Sequence, residues 1–428
     1  MKKLRIPIVV LCLCLLLSGC SFRFASIDDL ISPISPGGEN ANIQKAVDDY
    51  CKTGYSLKIP SGGNYTTSFI FYDLDKDKQD EAIAFYEPSD AIGSVNMALI
   101  DKMGESWQVI DNVDGGGSDI ISVDFCDVNN DDSAEILVCW SVISKSTNYN
   151  LSVYRQESSD NGIVLKTISD SISAGTFICA DVNEDGVSEV VVFNVGSASS
   201  SPKAELYSFK NNSKNLIGET KLDSSINSFN SLKAGKTDQG VSIYADALRA
   251  DRESMVTELI YWSDYYDSIV SPFYSYDTGK TVDTLRNNSI TSRDIDNDEV
   301  IEIPIDAKKK LPSRIKAENW MYYSNTVLKH KCYSLSCESD RYIITIPDNL
   351  FSKISVKYDD KGRELTVLNG KQECFKIKAV ISSDFNKSNF PEYAEIFRNS
   401  GFVYLANVNS KSNISIGIDD LKSMIKSY

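Results

Sequence analysis

Asp181-Val-Asn183-Glu-Asp185-Gly186-Val-Ser-Glu189 carries oxygen side chains at its first, third, fifth and ninth positions, and the pattern occurs in four copies. The others are Asp73-Leu-Asp75-Lys-Asp77-Lys-Gln-Asp-Glu81, Asp127-Val-Asn129-Asn-Asp131-Asp-Ser-Ala-Glu135 and Asp294-Ile-Asp296-Asn-Asp298-Glu-Val-Ile-Glu302. The first three begin 54 residues apart, and Asp294 lies 113 residues beyond Asp181, about twice that step. A degenerate copy is therefore expected near residue 235. Gly235-Lys-Thr-Asp-Gln-Gly240-Val-Ser-Ile keeps a turn glycine there and loses most of the oxygens. A fixed period of this length marks a repeat architecture.

The flanks repeat as well. Ser68–Tyr72, Ile120–Cys126, Thr176–Ala180 and Ser289–Ser292 read as strands before the acidic loops. Ala82–Tyr86, Ile136–Trp140 and Val190–Phe193 follow them. These later runs are apolar without alternation, as in a sheet buried on both faces. A third strand is expected near Met97, Leu151, Glu205, Leu259 and Trp320, and a fourth follows a polar turn. Four short strands per unit is the pattern of a propeller blade.

Calcium takes six to eight hard oxygen ligands in flexible geometry. Carboxylates or amides at positions 1, 3 and 5, a carbonyl at 7 and a carboxylate at 9 suit it. The metal-ligand set read from the sequence is thus Asp73, Asp75, Asp77, Glu81, Asp127, Asn129, Asp131, Glu135, Asp181, Asn183, Asp185, Glu189, Asp294, Asp296, Asp298 and Glu302. The alternative is that Asp and Asn make hydrogen-bonded turns with no metal. Glycine suits the sharp turn at position 6, but only Gly186 supplies it. Lys78, Asp132 and Glu299 stand in the other copies, where weaker sites are expected. Position 12 is Ala84, Val138, Val192 or Ile305. That excludes an EF-hand, which needs a carboxylate there.

These segments resemble the FG-GAP/VCBS repeats of integrin-type β-propellers, in an arrangement similar to that of lipoproteins of Firmicutes. The resemblance implies a mainly β chain, with a propeller of about five four-stranded blades over residues 55–337. It also implies that each loop joins the first two strands of its blade and holds structural calcium.

Lys2, Lys3 and Arg5 precede an apolar run, Ile6–Leu17, and then Leu17-Ser18-Gly19-Cys20. This reads as a signal peptide over 1–19. The last four residues resemble the bacterial lipobox, whose cysteine is diacylated; two chains make a stable anchor. The expected location is outside the cell membrane, attached through Cys20. Loss of three positive charges takes the formal charge from −16 to −19, which argues against nucleic acid as a partner. A tether is expected over 20–39, a short helix over 40–54, and an α+β domain over 338–428. That last domain has strands at Arg341–Ile346, Ile354–Tyr358, Leu365–Leu368 and Cys374–Ile381, and helices at Pro391–Asn399 and Asp419–Lys426. An alternative folds these strands into further blades. Tyr55–Ile59 is read as a strand that closes the ring.

His330 is the only histidine, which leaves no multi-histidine metal centre. Cys126, Cys139 and Cys179 read as small buried hydrophobes, and the pairing of Cys332 with Cys337 stays open. No nucleophile elbow, P-loop or Rossmann fingerprint is present. The reading that follows is a surface binding or scaffold module for a protein or glycan. Its rivals are a carboxylate-based polysaccharide hydrolase or lyase, marked by non-loop carboxylates at the mouth of the central channel, and a structural partner that docks through 338–428.

Overall fold

A computed structural model describes residues 38–428 apart from Asp75, 143–148, 160–161, 198–199 and Ser415. The signal segment, Cys20, most of the tether and the ligand position Asp75 lie outside the described residues. The chain is mainly β, in successive antiparallel sheets. Among the described residues no helix is long and apolar enough to cross a membrane.

The first sheet contains Glu81–Pro88, Asn96–Met103 and Ser106–Asp114, with Tyr55–Lys58 and Ile70–Tyr72 both paired to Glu81–Pro88. The second runs in chain order through Asp119–Cys126, Glu135–Ser141, Tyr149–Ser159 and Gly162–Ala174. The third is Thr176–Ala180, Glu189–Asn194, Lys203–Ser208 and Asn215–Lys221. The fourth is Ile226–Thr237, Gly240–Arg249, Met255–Ser263 and Ser268–Val270. A two-stranded ribbon, Tyr274–Ser275 with Lys280–Thr281, follows it. The fifth holds Ile303–Asp306, Lys316–Ser324, Val327–Cys337 and Tyr342–Ile346, and ends on the much later strand Ile425–Ser427. The sixth is Ile354–Asp359, Glu364–Asn369, Gln372–Ile381, Phe402–Val408 and Ala394–Arg398.

The apolar runs explain the stacking. All seven residues of Glu135–Ser141 are buried. Their even-numbered members Ile136, Val138 and Trp140 pack with the first sheet, while Leu137 and Cys139 pack with Val190 and Val192 of the third. In the third sheet the neighbours Val191 and Phe193 turn to Ile243 and Ala245 of the fourth. The second strands of the second and third sheets are thus apolar on both pleat faces because a sheet lies on either side of each. The succession continues from fourth to fifth through Tyr244, Leu259, Ile303 and Tyr323, and from fifth to sixth through Leu335, Ile344, Val367 and Tyr404.

The other face of the first sheet is covered by the helix Glu39–Tyr50, which buries Ile43, Ala46 and Val47 against Ala82, Ala84 and Tyr86. Tyr55–Lys58 does not close a ring: its register runs Tyr55↔Pro88 to Lys58↔Phe85, beside Ile70–Tyr72 on the same edge. Two further expectations are corrected. Ser289–Ser292 forms no strand, and only an isolated bridge, Arg293↔Glu302, precedes Ile303–Asp306. Pro391–Asn399 holds the strand Ala394–Arg398 instead of a helix. A register shift between Glu395 and Phe397 breaks its alternation. The stretch 338–428 contributes Tyr342–Ile346 and Ile425–Ser427 to the fifth sheet, and one hydrophobic cluster spans the fifth and sixth sheets.

The fifth sheet also buries a carboxylate. Glu318 has no exposed surface and accepts hydrogen bonds from the Ser334 and Ser336 hydroxyls. Burial pushes its carboxyl up to about 7 from 4.5, against the two serine hydroxyls and a weaker pull from the Lys316 ammonium. A raised folded value means that the folded state holds the proton more tightly than the unfolded state. That contribution is complete below pH 4.5 and is lost as pH rises to about 7. Glu318→Gln is expected to flatten the fall in unfolding free energy across this window, by up to about 3 kcal/mol. Urea titrations at a series of pH values check this, and an unchanged slope would refute it.

Candidate functional site: the acidic loops and a cavity between three sheets

The four acidic loops share one hydrogen-bond pattern among their described residues. The first lies between Ile70–Tyr72 and Glu81–Pro88, the second and third lie between the first two strands of the second and third sheets, and the fourth leads into Ile303–Asp306. In each, the ninth-position Glu accepts the backbone N–H of position 2. Glu81, Glu135, Glu189 and Glu302 receive Leu74, Val128, Val182 and Ile295 at 2.6, 2.9, 3.0 and 3.0 Å. The first Asp accepts the N–H of position 6: Lys78 at 3.2 Å, Asp132 at 3.0 Å, Gly186 at 2.9 Å and Glu299 at 2.8 Å. The fifth-position Asp accepts the N–H of position 7.

Position 6 is left-handed in every copy, with φ of 75°, 67°, 89° and 71° at Lys78, Asp132, Gly186 and Glu299. Only the glycine takes that conformation freely. Near residue 235 the expected degenerate copy is a tight turn: Thr237 pairs with Gly240, leaving Asp238 and Gln239 between strands.

The ninth-position carboxylates are buried, and three are electrostatically uncomfortable. Burial first, and then the neighbouring Asp carboxylates, push Glu135, Glu189 and Glu302 up to about 7. Asp73 Oδ1, Glu189 Oε1 and Glu302 Oε1 are buried oxygens without a hydrogen bond. Oxygen-only donors, some of them orphaned, fit a hard cation such as calcium. The structure brings Asp294, Asp296 and Glu302 together, with one ligand oxygen of each within 4.8 Å of the others.

Lysines enter two loops, and the sequence did not point to either. Lys210 pairs with Asp185, and Lys331 reaches the loop at 294–302. Asn129 instead donates to Asn212, in the turn between the last two strands of the third sheet, at 2.9 Å. Burial opposes ionisation of Asp185, but Lys210 and the Val187 N–H hold it below the usual carboxylate range.

Away from the loops, a cavity of about 310 Å³ opens between the first strands of the second, third and fourth sheets. Ile121–Asp124, Thr176–Ile178 and Phe229–Leu232 line it, with Gly62–Asn64 as a fourth wall. That wall is bound to the second sheet by Ser61 N–H to Ile120 O at 3.0 Å and Gly62 N–H to Ile121 O at 2.8 Å. The lining is amide, hydroxyl and apolar, with Asp124 its one charged residue. Burial raises the Asp124 carboxyl, against a bond from the Phe125 N–H. A volume of this size takes a small ligand or the tip of a larger one. A second cavity of about 410 Å³ lies beside the third sheet, where Lys203 bridges Glu205 at 2.7 Å and Glu219 at 3.4 Å.

His330 sits on an exposed strand position, with Nε2 3.0 Å from Asp348. The seven cysteines of the described residues are free, Cys332 and Cys337 included. Cys139 is buried, whereas Cys126 and Cys179 are partly exposed.

No family model matches the chain, and no curated protein matches it. Among solved structures it is similar to an exotype rhamnogalacturonan lyase, YesX, at 12% identity over 69% of this chain and 71% of that one, with a TM-score of 0.26. That likeness leaves the reading of the site to its own geometry.

Proposed function

We propose that this chain is a binding or scaffold module built from propeller-type blades, whose ligand, a protein or a glycan, seats in the cavity between the second, third and fourth sheets. The observation that carries the reading is the convergence of three successive first strands on one polar cavity. Contacts at the opposite edges support the radial arrangement. The last strands of neighbouring sheets meet there, as Leu165 N–H bonds Asp111 at 2.7 Å and Glu219 N–H bonds Ser268 at 3.2 Å. In this reading the helix Glu39–Tyr50 occupies the place of a closing blade. The acidic loops hold structural calcium near the blade ends, and Cys20 anchors the module outside the bacterial cell membrane.

The polysaccharide hydrolase reading draws less from the cavity. Glycoside hydrolysis uses a pair of carboxylates, and among the described lining residues Asp124 stands alone.

The test is binding of the full chain to glycan and peptide arrays in calcium, with Asp124→Asn alongside. Signal on one ligand class, weakened several-fold by Asp124→Asn and lost in EGTA, is expected. Equal binding by the variant would place the ligand elsewhere.

A further inference from the structure

Lys331 lies on Val327–Cys337, two strands across the fifth sheet from Ile303–Asp306. Its ammonium is bonded to Asp298 and stands 3.1 Å from Asp296 and 3.8 Å from Glu302 Oε1. Glu302 has no exposed surface, and that oxygen accepts no hydrogen bond. The carboxylates of Asp294, Asp296 and Glu302 offer oxygens that all lie within 4.8 Å of one another. Like charges at that spacing repel strongly unless a cation lies among them.

The backbone aims the lysine. The register passes from Trp320↔Cys332 to Met321↔His330, so Lys331 is the extra residue of a β-bulge, which redirects a side chain. The same bulge recurs in Ser106–Asp114 of the first sheet and Asn215–Lys221 of the third. Leu99↔Asp111 is followed by Ile100↔Val109, which leaves Ile110 extra, and Leu206↔Gly218 by Tyr207↔Leu216, which leaves Ile217 extra. Those isoleucines pack on the hydrophobic clusters of their sheets. The bulge therefore belongs to the repeat, but a charge at that position belongs to the fifth sheet.

We propose that Lys331 is the resident cation of the 294–302 loop: its ammonium stands where a divalent ion would stand, so this loop is filled without metal and takes calcium only by expelling the lysine. The first half is independent of the calcium reading, and the second rests on it.

The experiment compares the full chain with Lys331→Met, which keeps an unbranched stem and removes the charge. In EGTA the variant is expected to melt several degrees lower, and adding Glu302→Gln should restore at least half of the drop by removing the uncompensated charge. In calorimetric calcium titrations Lys331→Met is expected to take up one more equivalent than the wild type, or to bind at least tenfold tighter at one site. An unchanged melt in EGTA would overturn the resident-cation role. Calcium uptake by the wild type that Lys331→Met does not alter would overturn the displacement. If neither protein takes up calcium, the calcium reading of the loops fails, and the melting drop with its rescue still decides the role of Lys331.

Discussion

Arg286→Met is expected to lower the unfolding free energy by about 3–5 kcal/mol, the usual cost of leaving one partner of a buried pair uncompensated. Arg286 and Asp246 have no exposed surface and meet at 2.7 Å. The guanidinium also donates to Thr257 Oγ1 at 2.8 Å and to the Ile290 carbonyl at 3.1 and 3.2 Å. Asp246 in turn accepts from Thr257 Oγ1 at 2.6 Å, and from the Ser292 hydroxyl and N–H, each at 2.8 Å. Two strands of the fourth sheet are thus tied to the irregular segment that leads into the fifth. That segment has few ladder bonds of its own, so the pair takes over the role a strand would have. Asp246→Leu alone should be comparably damaging. The double variant Arg286→Met/Asp246→Leu should cost less than the sum, because no charge is stranded. Urea unfolding of the three variants measures this, and a loss below about 1 kcal/mol for Arg286→Met would show that the pair is no clamp.

Trp140→Ala is expected to cost about 3–5 kcal/mol, the range for emptying a large aromatic site. Trp140 is fully buried and meets Phe85 edge-on with ring centroids 5.6 Å apart. What makes the site unforgiving is the glycine run beside it. A Cβ on Gly115 would lie 2.1 Å from the Val95 carbonyl and 2.7 Å from the indole, and one on Gly117 would lie 2.4 Å from the Ser141 carbonyl. The strap fits only because it has no side chains, and it follows the shape of the ring. Removing the ring leaves a hole that a strap hydrogen-bonded to Val95 and Ser141 cannot collapse into. Denaturant titration should show the loss, and a variant within about 1 kcal/mol of the wild type would mean that the strap relaxes.

The repeat was legible because loop chemistry is local. Asp and Glu at fixed offsets and doubly apolar second strands lie within short windows, and a 54-residue step repeats them. The tight turn at Asp238 and Gln239 was visible as a gap in the arithmetic, with Gly240 surviving. What escaped depends on partners far along the chain. Arg286 and Asp246 sit in unremarkable sequence, and Lys331 reads as one more exposed charge until the bulge is seen. In the 391–399 stretch Tyr393, Ile396 and Phe397 fall at helical spacing. Pairing to Phe402–Val408 overrides that local preference. The cavity has no motif at all, since three unrelated stretches share only their place as first strands.

The strand Ile425–Ser427 lies beside Tyr342–Ile346 and completes the fifth sheet only after the whole sixth sheet has been laid down. Contacts between residues so distant in sequence must await closure of a long loop, which slows their formation. During synthesis the first four sheets can each form from neighbouring hairpins as they emerge. In the fifth, Tyr342–Ile346 stays unpaired on one side until the later strand arrives, and an unpaired edge invites pairing with other chains. In that interval pairing with another chain competes with the arrival of Ile425–Ser427.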